Sequence, residues 1–336
     1  MDFESISNTA TLNSWMSENN MQGYWAREER ESHLKPYLWK WSTIRQGIMK
    51  AADVVPIEEA FRRNIGLRNP LNSPGMMTTV TMGIQCVLPG EVAPAHRHTA
   101  SAFRFVVEGE PNAFVIADGE PMPMEEGDFL TNPHFTFHGH VNRGDKPVIW
   151  IDSLDVKLAH LGQEFREDYT DLEQAASKSI GHGLRTFGHA KPNWLKADTT
   201  PPPFRYPWAE TSETLDMLKN SEVEPDPYDG YHLTYNHPIT GGPTTATIAA
   251  ELQLLPAGFK GRTYRRNSTI YYHVFRGEGT TIVNGERLSW SKGDFFFVPP
   301  WAECAHESAA GADAVLYSVT DWPAMKALGL YQEEKS

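Results

Sequence analysis

Two stretches of this chain follow the same plan. Leu88-Pro89-Gly90, His96-Arg97-His98 and Glu108-Gly109-Glu110 are answered by Leu255-Pro256-Ala257-Gly258, Tyr264-Arg265-Arg266 and Arg276-Gly277-Glu278-Gly279. The step from His96 to Gly109 equals the step from Tyr264 to Gly277. Later, Gly127-Asp128-Phe129 to Pro133 returns as Gly293-Asp294-Phe295 to Pro299. Such a repeat means one domain written twice. Its text is β: Thr79-Val-Thr-Met, Cys86-Val-Leu, Phe103-Arg-Phe-Val-Val, Ala113-Phe-Val-Ile, Asp128-Phe-Leu and Val148-Ile-Trp-Ile alternate with Gly, Pro and Asp. Many short strands at this spacing predict an all-β sandwich or barrel. The chain has 336 residues, room for two domains of ordinary size. They are expected over residues 61–170 and 221–336. Residues 1–60 read as an N-terminal helical arm, with helix-like apolar spacing from Leu38-Trp39-Lys40-Trp41 through Ile44 and Ile48 to Val54-Val55. Residues 171–220, with Pro201-Pro202-Pro203, read as the interdomain connection.

Only the first copy carries His96, His98 and, further on, His138; the second has Tyr264, Arg266 and Cys304 at those places. Residues two apart in a strand share a face. His96 and His98 therefore project together, Arg97 projects away, and His138 must come from another strand. A His-x-His pair standing alone in a β protein is more often a surface pair than a ligand set. Here glycines bracket it, and a second block supplies Gly127, Pro133, His138 and Asn142. The joint pattern predicts a metal held by three neutral imidazoles with other coordination positions left open. Imidazole serves several metals, so manganese or nickel stand beside iron at this point. His134, directly after Pro133, belongs to a turn, and neither it nor His160 joins the set. The second copy is expected to be metal-free, because Tyr264 and Arg266 cannot replace two imidazoles and Cys304 with His306 is a thin set.

Composition narrows the partners. The formal net charge of −13 disfavours nucleic acid. No apolar run reaches membrane-span length, and the first residues carry no secretory pattern. Two cysteines, Cys86 and Cys304, with no CxxC, fit a reducing, cytoplasmic location better than a disulfide framework.

The two blocks resemble the two cupin motifs, and their duplication resembles a bicupin: two double-stranded β-helix (jelly-roll) barrels plus some helix. The run from Pro89 through His96-Arg-His-Thr-Ala-Ser-Ala-Phe-Arg-Phe-Val-Val-Glu-Gly109 is similar to the gentisate 1,2-dioxygenase family, with its salicylate, 5-nitrosalicylate and 1-hydroxy-2-naphthoate members, and 5-aminosalicylate is a further candidate substrate for the same chemistry. The likeness extends to Leu38-Trp-Lys-Trp, Arg62-Arg63, Asn69-Pro70, Gly83-Ile-Gln85, Phe137-His-Gly-His-Val-Asn, Trp150-Ile-Asp-Ser-Leu-Asp, Pro227-Tyr-Asp-Gly and Asn236-His-Pro-Ile-Thr-Gly-Gly. It implies Fe(II) on His96, His98 and His138, a small aromatic acid and O2 as substrates, and a homotetramer. The implied reaction is extradiol-type cleavage between the carboxyl-bearing and hydroxyl-bearing ring carbons, with both oxygen atoms entering the product. For gentisate that product is maleylpyruvate.

Most cupins place a glutamate ligand a few residues after His-x-His; here Ala102 takes that slot. The metal then keeps its full +2 charge. At an effective dielectric of about 20, one charge at ~4 Å is worth on the order of 4 kcal/mol, which favours an anionic substrate. Arg104 is a charged residue in an apolar strand, placed by even spacing on the face of His96 and His98. A guanidinium grips a carboxylate through two bonds, although inward charges are also often paired internally. His140, two past His138, is an acid/base or hydrogen-bonding candidate toward phenolate or dioxygen, or a solvent-facing residue if the chain turns at Gly139. The resemblance further implies that Arg62, Asn64, Thr81, Gly83, Gln85 and Asp152 line the pocket, with Arg62 a second carboxylate anchor and Asp152 facing the far ring substituent. Related enzymes can carry tryptophan at the place of Thr81, so the wall is smaller here and bulkier rings fit. A non-catalytic bicupin binding or storage protein would share the fold but not three aligned histidines with an inward arginine. A sugar-isomerising or oxidising cupin would keep the glutamate.

Overall fold

The computed structural model describes residues 6–19, 21, 34–60, 62–70, 79–159, 161–162, 164–169, 173–188, 193–194 and 202–336; His160 lies outside them. The chain divides into two units, Met1–His33 and Leu34–Ser336. The first contains the helix Thr9–Glu18, whose N-cap Asn8 accepts from Thr11 N at 3.0 Å.

The second unit holds two barrels, each made of a six-stranded and a five-stranded antiparallel sheet. In the first barrel the larger sheet runs Phe204–Tyr206, Phe129–Asn132, Ala102–Glu108, Val148–Leu154, Thr81–Val87, Arg63–Gly66. Facing it are Arg166–Asp168, Val92–His98, His138–Asn142, Glu110–Ala117 and Glu120–Met124. The second barrel repeats this, with Tyr37–Trp39, Phe295–Val298, Ile270–Arg276, Ala314–Thr320, Ala249–Leu255 and Tyr231–Thr234 in its larger sheet. The expected all-β, duplicated architecture is thus present.

The central strands of the larger sheets are buried on both faces, and strand alternation sorts their side chains into two cores. From Ala102–Glu108, Phe103, Phe105 and Val107 enter a cluster shared with Phe275, Tyr317 and Phe295 of the second barrel. Val106 from the same strand enters the interior of the first barrel with Leu130, Val148 and Trp150. The barrels are therefore joined through the outer faces of their larger sheets. Helix Trp41–Val54 covers one flank of the shared cluster with Ile44, Ile48 and Ala52, four residues apart and all buried.

The N-terminal segment differs from the helical reading at its start. Tyr37–Trp39 is a strand, and the helix begins only at Trp41. The reason is long-range pairing: Tyr37, Leu38 and Trp39 match Phe297, Phe296 and Phe295 of the second barrel. Phe204–Tyr206, in the connecting stretch, pairs in the same way with Phe129–Asn132 of the first barrel. Each barrel is thus completed by a strand that precedes the other barrel in sequence. The docking chemistry repeats too. Asp294 accepts from Trp41 N (3.0 Å) and Lys40 Nζ (2.7 Å); Asp128 accepts from Trp208 N (2.9 Å) and Arg205 Nε (2.7 Å).

Candidate metal centre and substrate pocket

Strand Val92–His98 buries His96 and His98 and exposes Arg97 between them, which pairs outward with Glu167 (Nε–Oε2 2.8 Å). Strand His138–Asn142 lies beside it with His138 directly across from His96. The three ring centroids are 4.1 to 5.2 Å apart, and the ligand nitrogens lie within 4.8 Å of one another. A carbonyl can only accept, so Nδ1–H of His98 donates to Ala100 O (2.8 Å) and that of His138 to Thr136 O (2.8 Å). This fixes the tautomer that leaves Nε2 as ligand atom. His138 Nε2 is buried with no hydrogen-bond partner. A lone pair left in that state is what a bound cation would satisfy, and three neutral imidazoles fit a first-row transition metal. His96 Nδ1 lies 3.1 Å from His138 O and also against the guanidinium of Arg62. Only the tautomer donating to the carbonyl presents Nε2 for a metal, and Arg62 Nη2 then has Pro94 O at 2.7 Å as its acceptor.

Burial holds all three imidazoles neutral. It pushes His98 down to about 4 against the opposing Ala100 carbonyl; it also lowers His96, with the Arg62 charge adding to the effect, and His138, with His96 and then Arg104 adding. Neutral imidazole is the form that binds metal.

Arg104 reaches the triad from the opposite wall, not from the same sheet: its strand, Ala102–Glu108, belongs to the larger sheet and the histidines to the smaller. It is 2% exposed. Its Nε stands 3.6 Å from Asp152 Oδ1, too far for a hydrogen bond, and Nε and Nη1 have no partner. Asp152, across the sheet from Arg104 and Gly83, accepts from Asn64 Nδ2 at 3.2 Å, while its Oδ1 is unpartnered. Burial raises the Asp152 carboxyl and Arg104 draws it back; burial likewise lowers the Arg104 guanidinium and Asp152 opposes. Gly83 makes room for Asn64: a Cβ there would stand 2.1 Å from Asn64 Oδ1. Gln85 is buried with Nε2 unpartnered. Thr81 is buried and turns its hydroxyl to Leu154 O (3.3 Å). His140 is in extended chain, 3% exposed, stacked on Trp150 (centroids 4.8 Å, 21°), with neither ring nitrogen partnered. Burial holds it well below its ordinary range, with Arg104 adding to the effect.

These residues sit in a chain of known kin. Residues 83–156 match the cupin domain family. Over 335 residues, 95% of this chain and 85% of its relative, the sequence is 37% identical to the 1-hydroxy-2-naphthoate 1,2-dioxygenase of Nocardioides sp. (strain KP7). It is 36% identical to gentisate 1,2 dioxygenase 1 of Aquipseudomonas alcaligenes, covering 91% of this chain and 88% of that one. This chain belongs to the gentisate 1,2-dioxygenase family. Salicylate 1,2-dioxygenase of Pseudoaminobacter salicylatoxidans, as its adduct with gentisate, superposes with a TM-score of 0.88 at 29% identity, covering 100% of this chain and 98% of that structure. The protein is an aromatic ring-cleavage dioxygenase of the cupin type.

Elsewhere in this dioxygenase the same fold positions carry other chemistry. In the second barrel Tyr264 faces Cys304 as His96 faces His138. Tyr264 Oη lies 3.4 Å from His306 Nε2 and from Tyr272 Oη, and Arg266 is tied to Asp229 (2.5 Å) and Glu333 (2.6 Å). Among the described residues the first-barrel triad is the group whose ligand atoms converge as a metal site. Cys86 and Cys304 are free and buried, both pushed up to about 12 by burial. Asn142 of the second sequence block is a turn anchor: its Nδ2 donates to Val87 O (3.1 Å) and Lys146 O (2.8 Å). Sequence reasoning missed Trp150 as the platform under His140. It also missed Asp168, which lies 3.6 Å from Arg62 on an edge strand beside the ligand strand. The even spacing of Trp150 and Asp152 could have signalled the former; nothing local signalled the latter.

Proposed function

We propose that this dioxygenase is a non-haem Fe(II) enzyme of extradiol type that opens gentisate between its carboxyl-bearing and hydroxyl-bearing carbons, giving maleylpyruvate with both atoms of O2 incorporated. The observation that carries this reading is Asp152 Oδ1, a buried acceptor without a donor beside the unpartnered donors of Arg104. An aromatic acid that carries both a carboxylate and a ring hydroxyl supplies both kinds of missing partner. Unpaired buried polar groups cost stability, so a ligand that pairs them gains affinity and a fixed orientation.

His96, His98 and His138 would hold the metal, which supplies a Lewis acid and a path for electrons to dioxygen. Arg104 Nε and Nη1 would grip the carboxylate, with Arg62 at the mouth as second anchor. His140, held flat on Trp150, would donate to or accept from the phenolic oxygen through a ring nitrogen. Gln85 Nε2 is a further donor, and Asn64 steadies Asp152 across the gap left by Gly83. The reading includes a cytoplasmic homotetramer.

Thr81 favours a second reading. Its small side chain leaves space for the fused ring of 1-hydroxy-2-naphthoate. Oxygen uptake by the Fe(II)-loaded protein, measured with gentisate, salicylate, 5-nitrosalicylate, 5-aminosalicylate and 1-hydroxy-2-naphthoate, separates the two. Highest kcat/KM on gentisate, with 5-aminosalicylate next because its amine also donates, is the expected result. Preference for the naphthoate or for 5-nitrosalicylate, neither of which offers Asp152 a proton at that place, would overturn it. His98→Ala should abolish turnover, and full activity in that variant would remove the metal assignment.

A further inference from the structure

Asn132 is 1% exposed, and neither its Oδ1 nor its Nδ2 has a hydrogen-bond partner. Two positions earlier in the same strand, Leu130 belongs to the interior of the first barrel, while Phe129 belongs to the core shared by both barrels. Alternation puts Asn132 on the interior face with Leu130. Its neighbour across the strand pair is Ala102, and Ala102 in turn faces Leu154, which faces Thr81. Asn132, Ala102, Leu154 and Thr81 thus form one row across the sheet. The next row contains Leu130, Arg104, Asp152 and Gly83.

This row is at the metal end of the barrel. The turn after Asn132 is bonded to the ligand strand, Phe135 N donating to His98 O at 2.9 Å. The same turn leads to Thr136, whose carbonyl orients His138. Directly opposed residues in a sheet have Cβ atoms about 4.5–5.5 Å apart, so the Asn132 amide has only the small methyl of Ala102 as its neighbour across the strand pair. An amide enclosed in a barrel without a partner is costly. It is tolerated where a ligand completes it.

We propose that Asn132 is a substrate-binding residue of this dioxygenase: its Nδ2 donates to an oxygen of the anionic aromatic acid lodged over Ala102. This rests on the reading of the pocket as an aromatic-acid site. It assigns a role to a residue that is neither a metal ligand nor one of the arginine anchors. Thr81 stands at the other end of the row, so ring bulk at one end and acid-edge hydrogen bonding at the other are set by the same layer of side chains.

The test uses Asn132→Leu, which keeps the volume and removes both polar atoms, and Asn132→Asp, which keeps the shape and adds a charge. Anaerobic binding of gentisate to the metal-loaded protein is followed by titration calorimetry, and melting of the metal-free protein by circular dichroism. Asn132→Leu is expected to bind about tenfold more weakly, with metal content unchanged and the metal-free melting temperature level or higher, because an unpaired amide has been removed from the barrel. Asn132→Asp is expected to bind more weakly still through repulsion of the anion. Undiminished binding in Asn132→Leu, or a melting temperature several degrees lower with it, overturns the inference and makes the amide a structural group. If the unaltered protein binds no acid of the panel, the pocket reading fails first and the inference with it; binding there but no change in Asn132→Leu defeats the inference alone.

Discussion

Histidines kept neutral by burial have a consequence for stability. His96, His98, His138, His140, His273 and His306 are all held below the ordinary value near 6.5, with burial the main cause, and His98 is at about 4. Below pH 6.5 the unfolded chain takes up protons that the folded chain refuses. The metal-free protein should therefore be at full stability above about 6.5 and lose it as pH falls toward 4, by up to about 1.4 kcal/mol per pH unit for each such residue. Urea unfolding at pH 8, 7, 6 and 5 checks this: the midpoint is expected to be level between 8 and 7 and to drop below. A midpoint unchanged at pH 5 would mean that the folded protein takes up as many protons as the unfolded chain, against this expectation. At this scale the triad was legible because strand alternation is local: two residues apart means one face. The position of Arg104 was not. Its place opposite the histidines depends on how two sheets close into a barrel, and the spacing of Arg104 from His98 carries no record of that. Asn132 was illegible for the same reason, since an unpaired amide is visible only once its neighbours are known.

Among the elements, the two Gly-Asp turns bear the most on assembly. Gly127 and Gly293 have φ of +88° and +92°, a region L side chains rarely enter. A Cβ at Gly293 would stand 2.6 Å from Trp41 Cγ; one at Gly127 would stand 2.7 Å from Trp208 Cγ and 2.8 Å from Phe275 Cζ. Gly293→Ala should cost about 1–3 kcal/mol in backbone strain alone and displace Trp41. Limited proteolysis is then expected to cut near Tyr37–Trp39 faster than in the unaltered protein, with metal content retained because the triad lies in the other barrel. Equal cleavage would mean that the turn does not hold this strand. The repeated Gly-Asp-Phe was plain in the sequence, and it marked the turns correctly. The strand that docks on each turn was hidden, because Tyr37–Trp39 pairs with residues far along the chain and its local apolar spacing imitates a helix. Leu38-Trp39-Lys40-Trp41 and its counterpart around Phe204–Trp208 are one repeat, recognisable only through their shared aspartate partners.

For the whole molecule, the shared core decides cooperativity. Phe105 stacks on Tyr317 at 4.1 Å and meets Phe275 edge-on at 5.2 Å, across the barrel boundary. Carboxylates cross it as well: Asp155 accepts from Ser101 N (2.8 Å) and from Thr247 Oγ1, and Asp321 from Thr269 N (2.8 Å) and from Thr79 Oγ1. The unit Leu34–Ser336 should unfold in a single transition, with calorimetric and van't Hoff enthalpies equal. Two resolved transitions would show that the barrels are independent.

The exchanged strands also set a timetable for synthesis. A chain growing from its N-terminus can close the first barrel's larger sheet once Phe204–Tyr206 has emerged. Tyr37–Trp39, made long before, has no partner until Phe295–Val298 appears. At roughly 5–20 residues per second, that aromatic segment waits for many seconds as an unpaired strand. The nascent half-molecule thus has a finished sheet beside the metal ligands and an exposed hook for the half still to come. Until the ribosome supplies it, a chaperone or a neighbouring nascent chain is the competitor for that hook.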